Sequence, residues 1–448
     1  MSYIPHTEAE RQEMLATIGI QSMEAMFDAV PAALRFPTLD LPEPQSQLEV
    51  TEIMTALAES NESAADFALF RGAGAYHHFI PPIVNHLIQR GEFLTAYTPY
   101  QPEMTQGTLQ ATYEYQSMMC ALTGMDAANA SHYDGATSLA EAVTMTRALA
   151  RGRRNKVILS PNIHPQYRAV VRTYHQGGSV RIDGDDGAVE RNDHQGLLAL
   201  LDEDTAMLAV AYPNFFGEIE PIAAYAEAAH SVGALFVVVA NPTALALLKS
   251  PGELGADIVV GDGQPLGVPL SFGGPYLGYF ATKQKYVRRI AGRIIGETED
   301  ADGRLAYVMT LRPREQDIRR EKATSNICTN QGLMSLAACV YLAALGKHGL
   351  RQVATLCYQK AHYAARKLHD LPDYHVNQSS PFFHEFVLIC PRPVREINEA
   401  LIEHGIIGGY DLGKDFPEMA DHMLVCCTEM NRKEEIDEFV ERLAEVGA

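Results

Sequence analysis

The chain has 448 residues, enough for one large domain and one or two smaller ones around substantial cores. Its 47% hydrophobic and 21% charged content is that of an ordinary globular protein, and its formal charge of −20 argues against general affinity for nucleic acid or anionic membranes. The seven cysteines (120, 328, 339, 357, 390, 426, 427) form no CxxC pair and no zinc spacing, and the polar, acidic start MSYIPHTEAERQEML is unlike a signal peptide; the expectation is a cytoplasmic protein with reduced thiols, no metal cluster and no membrane-spanning run.

Thr7-x-x-Glu10 is a capping-box pattern, followed by helical spacing of Met14, Leu15 and Ile18. A second helix is predicted over 46–59, after prolines at 31, 37, 42 and 44, so residues 1–60 read as a helical arm. The glycines, prolines and aromatics of 70–107 predict an irregular segment rather than a regular element. It is either a long packed loop capped by tyrosine hydroxyls or a wall of an active site, with Tyr97, Tyr100, Gln101 and Glu103 crowded at its end. Helical periodicity over 107–124 and 138–152 brackets Ala130-Ser131-His132-Tyr133-Asp134-Gly135-Ala136-Thr137-Ser138. Small residues opening a helix can present free N–H groups to a phosphate, or serve as a routine N-cap; taken alone, the cap is the better reading.

Strands at 156–160 and 207–213 alternate with helices near 165–176 and 221–232, which implies right-handed crossovers and ligands at the carboxyl ends of the strands. His164 stands at one such end, where a ring could stack on a cofactor. Three further apolar runs, 234–239, 257–260 and 277–281, read as buried strands of a mostly parallel sheet. Pyridoxal-phosphate (PLP) enzymes of the large aminotransferase-like class carry an Asp for the pyridinium nitrogen and a Lys for the Schiff base on such strands. Here the first strand ends in Ala240-Asn241, and Gly261-Asp262-Gly263-Gln264-Pro265-Leu266-Gly267 supplies no Lys; Lys249, Lys283 and Lys285 are all misplaced. Arg312, Arg314, Arg319, Arg320 and Lys322 form a basic cluster, of the kind that is usually a solvated helix face. A helical pair at 331–370 precedes strand 383–390, helix 394–404, strand 423–427 and helix 432–445, a small α+β domain.

Six strings, YIPHTEAE (3–10), GAGAYHHFIPPIV (72–84), YTPYQPEMTQG (97–107), NASHYDGATSLAEA (129–142), GVPLSFGGPYLGYFA (267–281) and IRREKATSNICTNQ (318–331), give the chain a resemblance along its whole length. It resembles the glycine decarboxylase (P-protein) family of the glycine cleavage system, in the first, alpha-type subunit of the split form. The resemblance implies a fold-type-I PLP-dependent transferase architecture: an N-terminal arm (1–60), a large α/β domain with a mostly parallel sheet (61–330), and C-terminal helices with a small α+β domain (331–448). It implies a partner, a PLP-bearing second subunit in an αβ or α2β2 assembly, and a reaction in which glycine is decarboxylated and its aminomethyl group passes to the lipoyl arm of the H-protein. PLP is then expected on the partner, with none covalent on this chain and no catalytic residue of its own. Asp134, Gly135, Ala136, Thr137 and Ser138 look like a remnant phosphate loop, and His164 like the retained ring-stacking residue. Arg71, His77, His78, Tyr97, Tyr100, Gln101, Ser325 and Asn326 are the candidates to complete the partner's site, and the 312–322 cluster is the candidate docking patch for an acidic carrier protein.

Two other readings stand beside this one. A homodimeric PLP enzyme would use an unusual lysine, Lys249 or Lys283. A non-catalytic scaffold or regulator would have kept only the fold.

Overall fold

The computed structural model describes residues 5–185, 187, 189–376 and 380–447. The chain divides into Met1–Glu62 and Ser63–Ala448, and residues 1–4 of the predicted arm lie outside the described ones. The first unit holds α1 (Glu8–Ile18) and α2 (Gln47–Glu59), opened by Thr7/Glu10 and Ser46/Glu49 capping boxes in which each partner satisfies an otherwise orphaned N–H of the other. Helix α2 buries no residue, although it carries Leu48, Val50, Ile53, Met54 and Leu57.

The second unit runs β1 (Ala68–Leu69), α3 (Pro82–Ile88), α4 (Gly91–Leu94), α5 (Gln106–Thr123), β2 (Ala127–Ala128) and α6 (Gly135–Ala150). It continues with β3 (Lys156–Leu159), α7 (Pro165–His175), β4 (Arg181–Asp183), α8 (His194–Ala199), β5 (Thr205–Tyr212), α9 (Ile222–Ser231), β6 (Leu235–Ala240), β7 (Ile258–Asp262) and β8 (Gly278–Thr282). Seven of these strands form one sheet in the order β2-β8-β7-β6-β5-β3-β4. Strands β3 to β7 are mutually parallel; β8 and β2 are antiparallel additions at one edge. Both faces are covered, so β5 is buried at every position and reads as an unbroken apolar run. Leu208 and Val210 pack with α5, α9 and residues Ala337, Ala338 and Tyr341 on one face, while Met207 and Ala209 pack with α6 and α7 on the other, the period-2 split a two-sided strand requires.

A hairpin, β9 (Ile294–Glu299) with β10 (Leu305–Thr310), follows, then α10 (Gln316–Arg319) and α11 (Gly332–His369). The small domain contains β11 (His375–Val376), β12 (Glu385–Ile389), α12 (Val394–Ile402), β13 (Ile406–Ile407), β14 (Tyr410–Asp411), β15 (His422–Cys426) and α13 (Lys433–Gly447). Its antiparallel sheet, β11-β12-β15-β14, is backed by α12, α13 and the second half of α11, with Phe70 stacked on Phe439 at 4.1 Å.

Several expectations are corrected. The segment 70–107 is not wholly irregular: Pro82 at the first turn starts α3, because a missing N–H costs nothing there. The hairpin was missed, although Asp302-Gly303 between two short apolar stretches is a turn signal. The expected helical pair at 331–370 is present, as the run Gly332–His369 broken into two helices at Gly346 (φ 56°, ψ −176°). That run contains an 18-residue window long and apolar enough to cross a membrane (mean hydropathy 1.4), contrary to the expectation of none. Its apolar residues, among them Ala338, Tyr341 and Ala361, lie in the two cores, where a helix apolar on most sides belongs.

Candidate functional site: a cleft without cofactor machinery

The carboxyl ends of β3, β5, β6 and β7 open onto a cleft of about 630 Å3, solvent mouth included, lined by Tyr76, His164, Tyr167, Asn241, Asp262 and Glu385 among others. This is the switch-point position at which parallel sheets take ligands. His164 caps α7 through Nδ1, which accepts the Gln166 N–H at 3.1 Å, and its Nε2 donates to the Ala73 carbonyl at 3.0 Å. Its ring stacks on Tyr167 (5.2 Å) and makes a T-shaped contact with Phe215 (4.7 Å), so it is already packed within the chain. Burial depresses its pKa, consistent with a neutral ring.

Asp134 is the N-cap of α6, in a reciprocal box with Thr137 at 2.8 and 3.1 Å. The next donor, Gly135 N–H, does not face open solvent. It donates to Asp262 Oδ2 at 3.0 Å, and a Cβ at Gly135 would lie 2.3 Å from the Tyr167 hydroxyl. The other Asp262 oxygen accepts the Gln264 and Leu277 N–H groups at 2.9 and 3.4 Å. Burial lifts this carboxyl to about 7 in spite of those bonds. Gln264 is clamped to backbone: Oε1 accepts the Tyr76 N–H at 2.8 Å, while Nε2 donates to the Tyr76 and Val268 carbonyls at 2.9 and 2.8 Å. Asn241 Oδ1 caps the turn after β6 by accepting the Thr243 N–H at 2.9 Å.

These residues do not fit PLP. A carboxylate and a phenol occupy the helix N-terminus that would hold the phosphate. Asn241 and Ala240 supply no acid for the ring nitrogen, and Gln264 no amine. The lysines offered as substitutes are remote: Lys283 Nζ sits 2.8 Å from Asp257 Oδ1 and Lys285 Nζ 3.9 Å from it, at the opposite end of β7, and Lys249 points outward.

The 70–84 segment is fastened by buried carboxylates of the small domain. Glu385 accepts the Ala73 N–H (2.7 Å) and the Tyr76 hydroxyl (2.8 Å). Glu429 takes the Phe79 N–H (2.7 Å), His78 Nδ1 (2.7 Å) and the Cys357 thiol (3.3 Å). The donor atoms of His78, Cys357 and Glu429 lie within 4.8 Å of one another, the spacing of a metal site. All three are already hydrogen-bonded, and the Lys360 ammonium sits on the Glu429 carbonyl, so the group is a lock rather than a cation site. His78, a candidate to complete the partner's site, is 6% exposed and turned onto Glu429 within this chain.

The remaining candidates are dispersed. Arg71 is partly buried beside Tyr410 and Asp411, and His77 is half-buried. Tyr97, 78% exposed, lines a second cleft of about 650 Å3 with Leu94, Arg293, Asn330 and Leu333. Arg293, absent from the sequence-based candidates, is buried, bonds Asn330 Oδ1 at 3.0 Å and lies 5.9 Å from the Tyr100 ring. Gln101 and Asn326 are exposed; Ser325 is half-buried beside the Glu141 carboxyl. In the basic cluster Arg314 turns inward, onto the Ile290 and Gly292 carbonyls, and Arg312 pairs with Asp317 at 3.5 Å. In this cluster Arg319, Arg320 and Lys322 are exposed and pair with no carboxylate among the described residues.

A parallel sheet of this order, with a cleft at its carboxyl edge and a small antiparallel domain behind it, defines the fold-type-I class of PLP-dependent enzymes, here stripped of the groups that hold the cofactor. At the level of fold the chain superimposes on a sphingosine-1-phosphate lyase of Burkholderia pseudomallei with a TM-score of 0.65 and 17% identity, over 93% of this chain and 94% of that one. The profile of the glycine cleavage system P-protein family matches residues 1–443, and the chain belongs to that family. It is 53% identical over 449 residues to a protein of Thermomicrobium roseum described as a probable glycine dehydrogenase (decarboxylating) subunit 1, covering all of both chains. It is 43% identical, with a TM-score of 0.89 and full coverage of both chains, to a crystal structure of glycine decarboxylase (P-protein) in inhibitor-bound form.

Proposed function

We propose that this chain is the cofactor-free half of a two-subunit glycine decarboxylase. A second subunit carries PLP, and this chain supplies structure and part of the wall around the partner's reacting glycine; the aminomethyl product passes to the lipoyl arm of an H-protein. The observation that carries this reading is the closure of the chain's own cofactor position by Asp262 and Tyr167, in a family whose named activity belongs to a PLP fold. The exposed apolar residues of α2, with no cover inside their own unit, support an obligate partner.

Bound to the partner, PLP supplies an electron sink for decarboxylation. What this chain contributes is exclusion of water and orientation by the surface around Tyr97, Tyr100, Gln101, Ser325 and Asn326, together with Arg71 and His77. The exposed cations Arg319, Arg320 and Lys322 support docking of an acidic carrier.

The test uses the tagged chain co-purified with its second subunit and reduced with borohydride. A phosphopyridoxyl mass on the second polypeptide alone is the expected result. The same mass on this chain overturns the division of labour. For carrier docking, charge reversal at Arg319 and Arg320 raises the apparent KM for H-protein and leaves glycine binding unchanged; an unaltered KM removes that assignment.

A further inference from the structure

The second cleft, of about 650 Å3, is walled mainly by carbon, with Phe93, Leu94, Ala111, Leu333 and Leu336 on its lining. Into that apolar setting the fold places a guanidinium. Arg293 lines the same cleft and is 6% exposed. Its Nη1 donates to Asn330 Oδ1 at 3.0 Å, and the Asn330 amide is itself fixed, because Nδ2 donates to Ser131 Oγ at 3.0 Å. Arg293 Nε is buried and has no partner among the described residues. The Tyr100 ring, 5.9 Å away, stands at the limit of cation–π range.

No carboxylate matches this charge. Among the described residues Arg293 forms no ion pair. Glu315 senses it but shares that field with Arg312 and Arg314, and Arg312 is paired with Asp317 at 3.5 Å. A buried charge is costly unless it is paired. With Nη1 spent on Asn330, the Nε side is left, and a guanidinium edge takes a carboxylate through two parallel N–H bonds.

A second feature of the cleft is independent of the first. Helix α11 begins at Gly332, and both Gly332 and Leu333 line the cleft. Gln331, its N-cap, makes no side-chain bond to the first turn. The first N–H of the helix to find an acceptor is that of Ser335, on the Gln331 carbonyl at 2.8 Å; those of Gly332, Leu333 and Met334 meet none among the described residues. A Cβ at Gly332 would meet only Asn330 Nδ2, at 4.0 Å, so the space over this helix start is open. Free N–H groups and the positive end of the helix dipole add to the guanidinium in favouring an anion.

We propose that Arg293 and the start of α11 form a binding site for a small monocarboxylate, whose apolar body lies along Leu94, Leu333 and Leu336. One guanidinium and one helix end balance a single negative charge, and the carbon walls disfavour a strongly hydrated polyanion. Asn330 and Ser131 orient the guanidinium. The occupant is held and not converted, so no bond is made or broken. The site is built from this chain alone and stands whether or not the second subunit carries PLP.

The test titrates the full-length chain with butyrate and with butyramide, a neutral molecule of the same shape. The readouts are the unfolding midpoint and saturation transfer to the ligand methyl in NMR. Expected is a saturable rise in midpoint and methyl transfer with butyrate, and neither with butyramide. Arg293→Met abolishes both responses. Asn330→Asp supplies Arg293 with an internal carboxylate and abolishes them too. A purely structural Arg293 would leave the butyrate response intact in a folded Arg293→Met, and that result overturns the site. Equal responses to butyrate and butyramide overturn it as well, as does no response of the wild type to butyrate. If Arg293→Met does not fold, Asn330→Asp decides, and an undiminished butyrate response there overturns the proposal.

Discussion

Asp262 Oδ2 accepts the Gly135 N–H at 3.0 Å, so the α6 N-terminus is neutralised by a carboxylate of its own chain. A helix start is an anion site by virtue of its free N–H groups and dipole. Here the acceptor is covalently part of the fold, which leaves no room for a phosphate ester.

Asp262→Ala therefore both destabilises and uncovers the site. Three backbone N–H groups lose their acceptor, a cost of about 2–4 kcal/mol. Inorganic phosphate raises the unfolding midpoint of the variant and leaves that of the wild type unchanged. Equal phosphate effects on both proteins would show that the helix end is not the anion site inferred from Gly135 and Asp262.

Glu141 offers a pH-resolved test. Burial raises its carboxyl from 4.5 to about 7, against a lowering hydrogen bond from Ser325, and its Oε2 has no partner among the described residues. The folded chain holds this proton across an interval in which the unfolded chain has released it. Stability therefore falls as pH rises from the unfolded value through about 7, and the penalty is complete above it. Glu141→Gln removes that dependence. Relative to wild type, the variant gains about 1–3 kcal/mol between about pH 4.5 and pH 8 in urea unfolding. A difference independent of pH rejects the assignment.

The Glu429 lock predicts a strong, localised effect. Glu429→Ala strands the buried His78 Nδ1 and removes the acceptor of the more exposed Phe79 N–H, at about 1–3 kcal/mol. Amide exchange at Phe79 accelerates ahead of the sheet strands, whereas Tyr97→Phe alters neither stability nor exchange there. Turnover of the assembled enzyme falls in Tyr97→Phe if Tyr97 faces the partner's site, and an unchanged turnover excludes it.

Gly217 adopts φ +87°, and a Cβ there would lie 2.0 Å from the Glu385 carbonyl oxygen. Left-handed strain and backbone overlap add, so Gly217→Ala costs about 3 kcal/mol or more. A denaturation midpoint within error of wild type would contradict this contact between the 214–220 turn and β12.

The Thr7/Glu10 capping box, the βαβ alternation and the strand runs at 207–213 and 234–239 were legible in sequence, because each depends on residues within a turn or a strand of one another. So was the lack of two residue types: Ala240-Asn241 and the 261–267 loop supply neither the Asp nor the Lys of a PLP site. The fate of the vacated pocket was not legible. Asp262 and Gly135 are 127 positions apart, and only the pairing of β7 with its neighbours sets one against the other.

The same physics separates the wall into its parts. His78 and Tyr97 look alike in sequence, as polar aromatics in one Gly- and Pro-rich segment. The tertiary fold carries Glu429 to His78 from 351 positions away and leaves Tyr97 in solvent. Sequence determined which residues can hold protons, cap helices or fill a core, since those are properties of side chains and short spacing. Which carboxylate meets which N–H, and which oxygen is left without a partner, was decided only when the sheet brought distant loops together, because hydrogen bonds act over about 3 Å and chain order says nothing about distances between segments far apart.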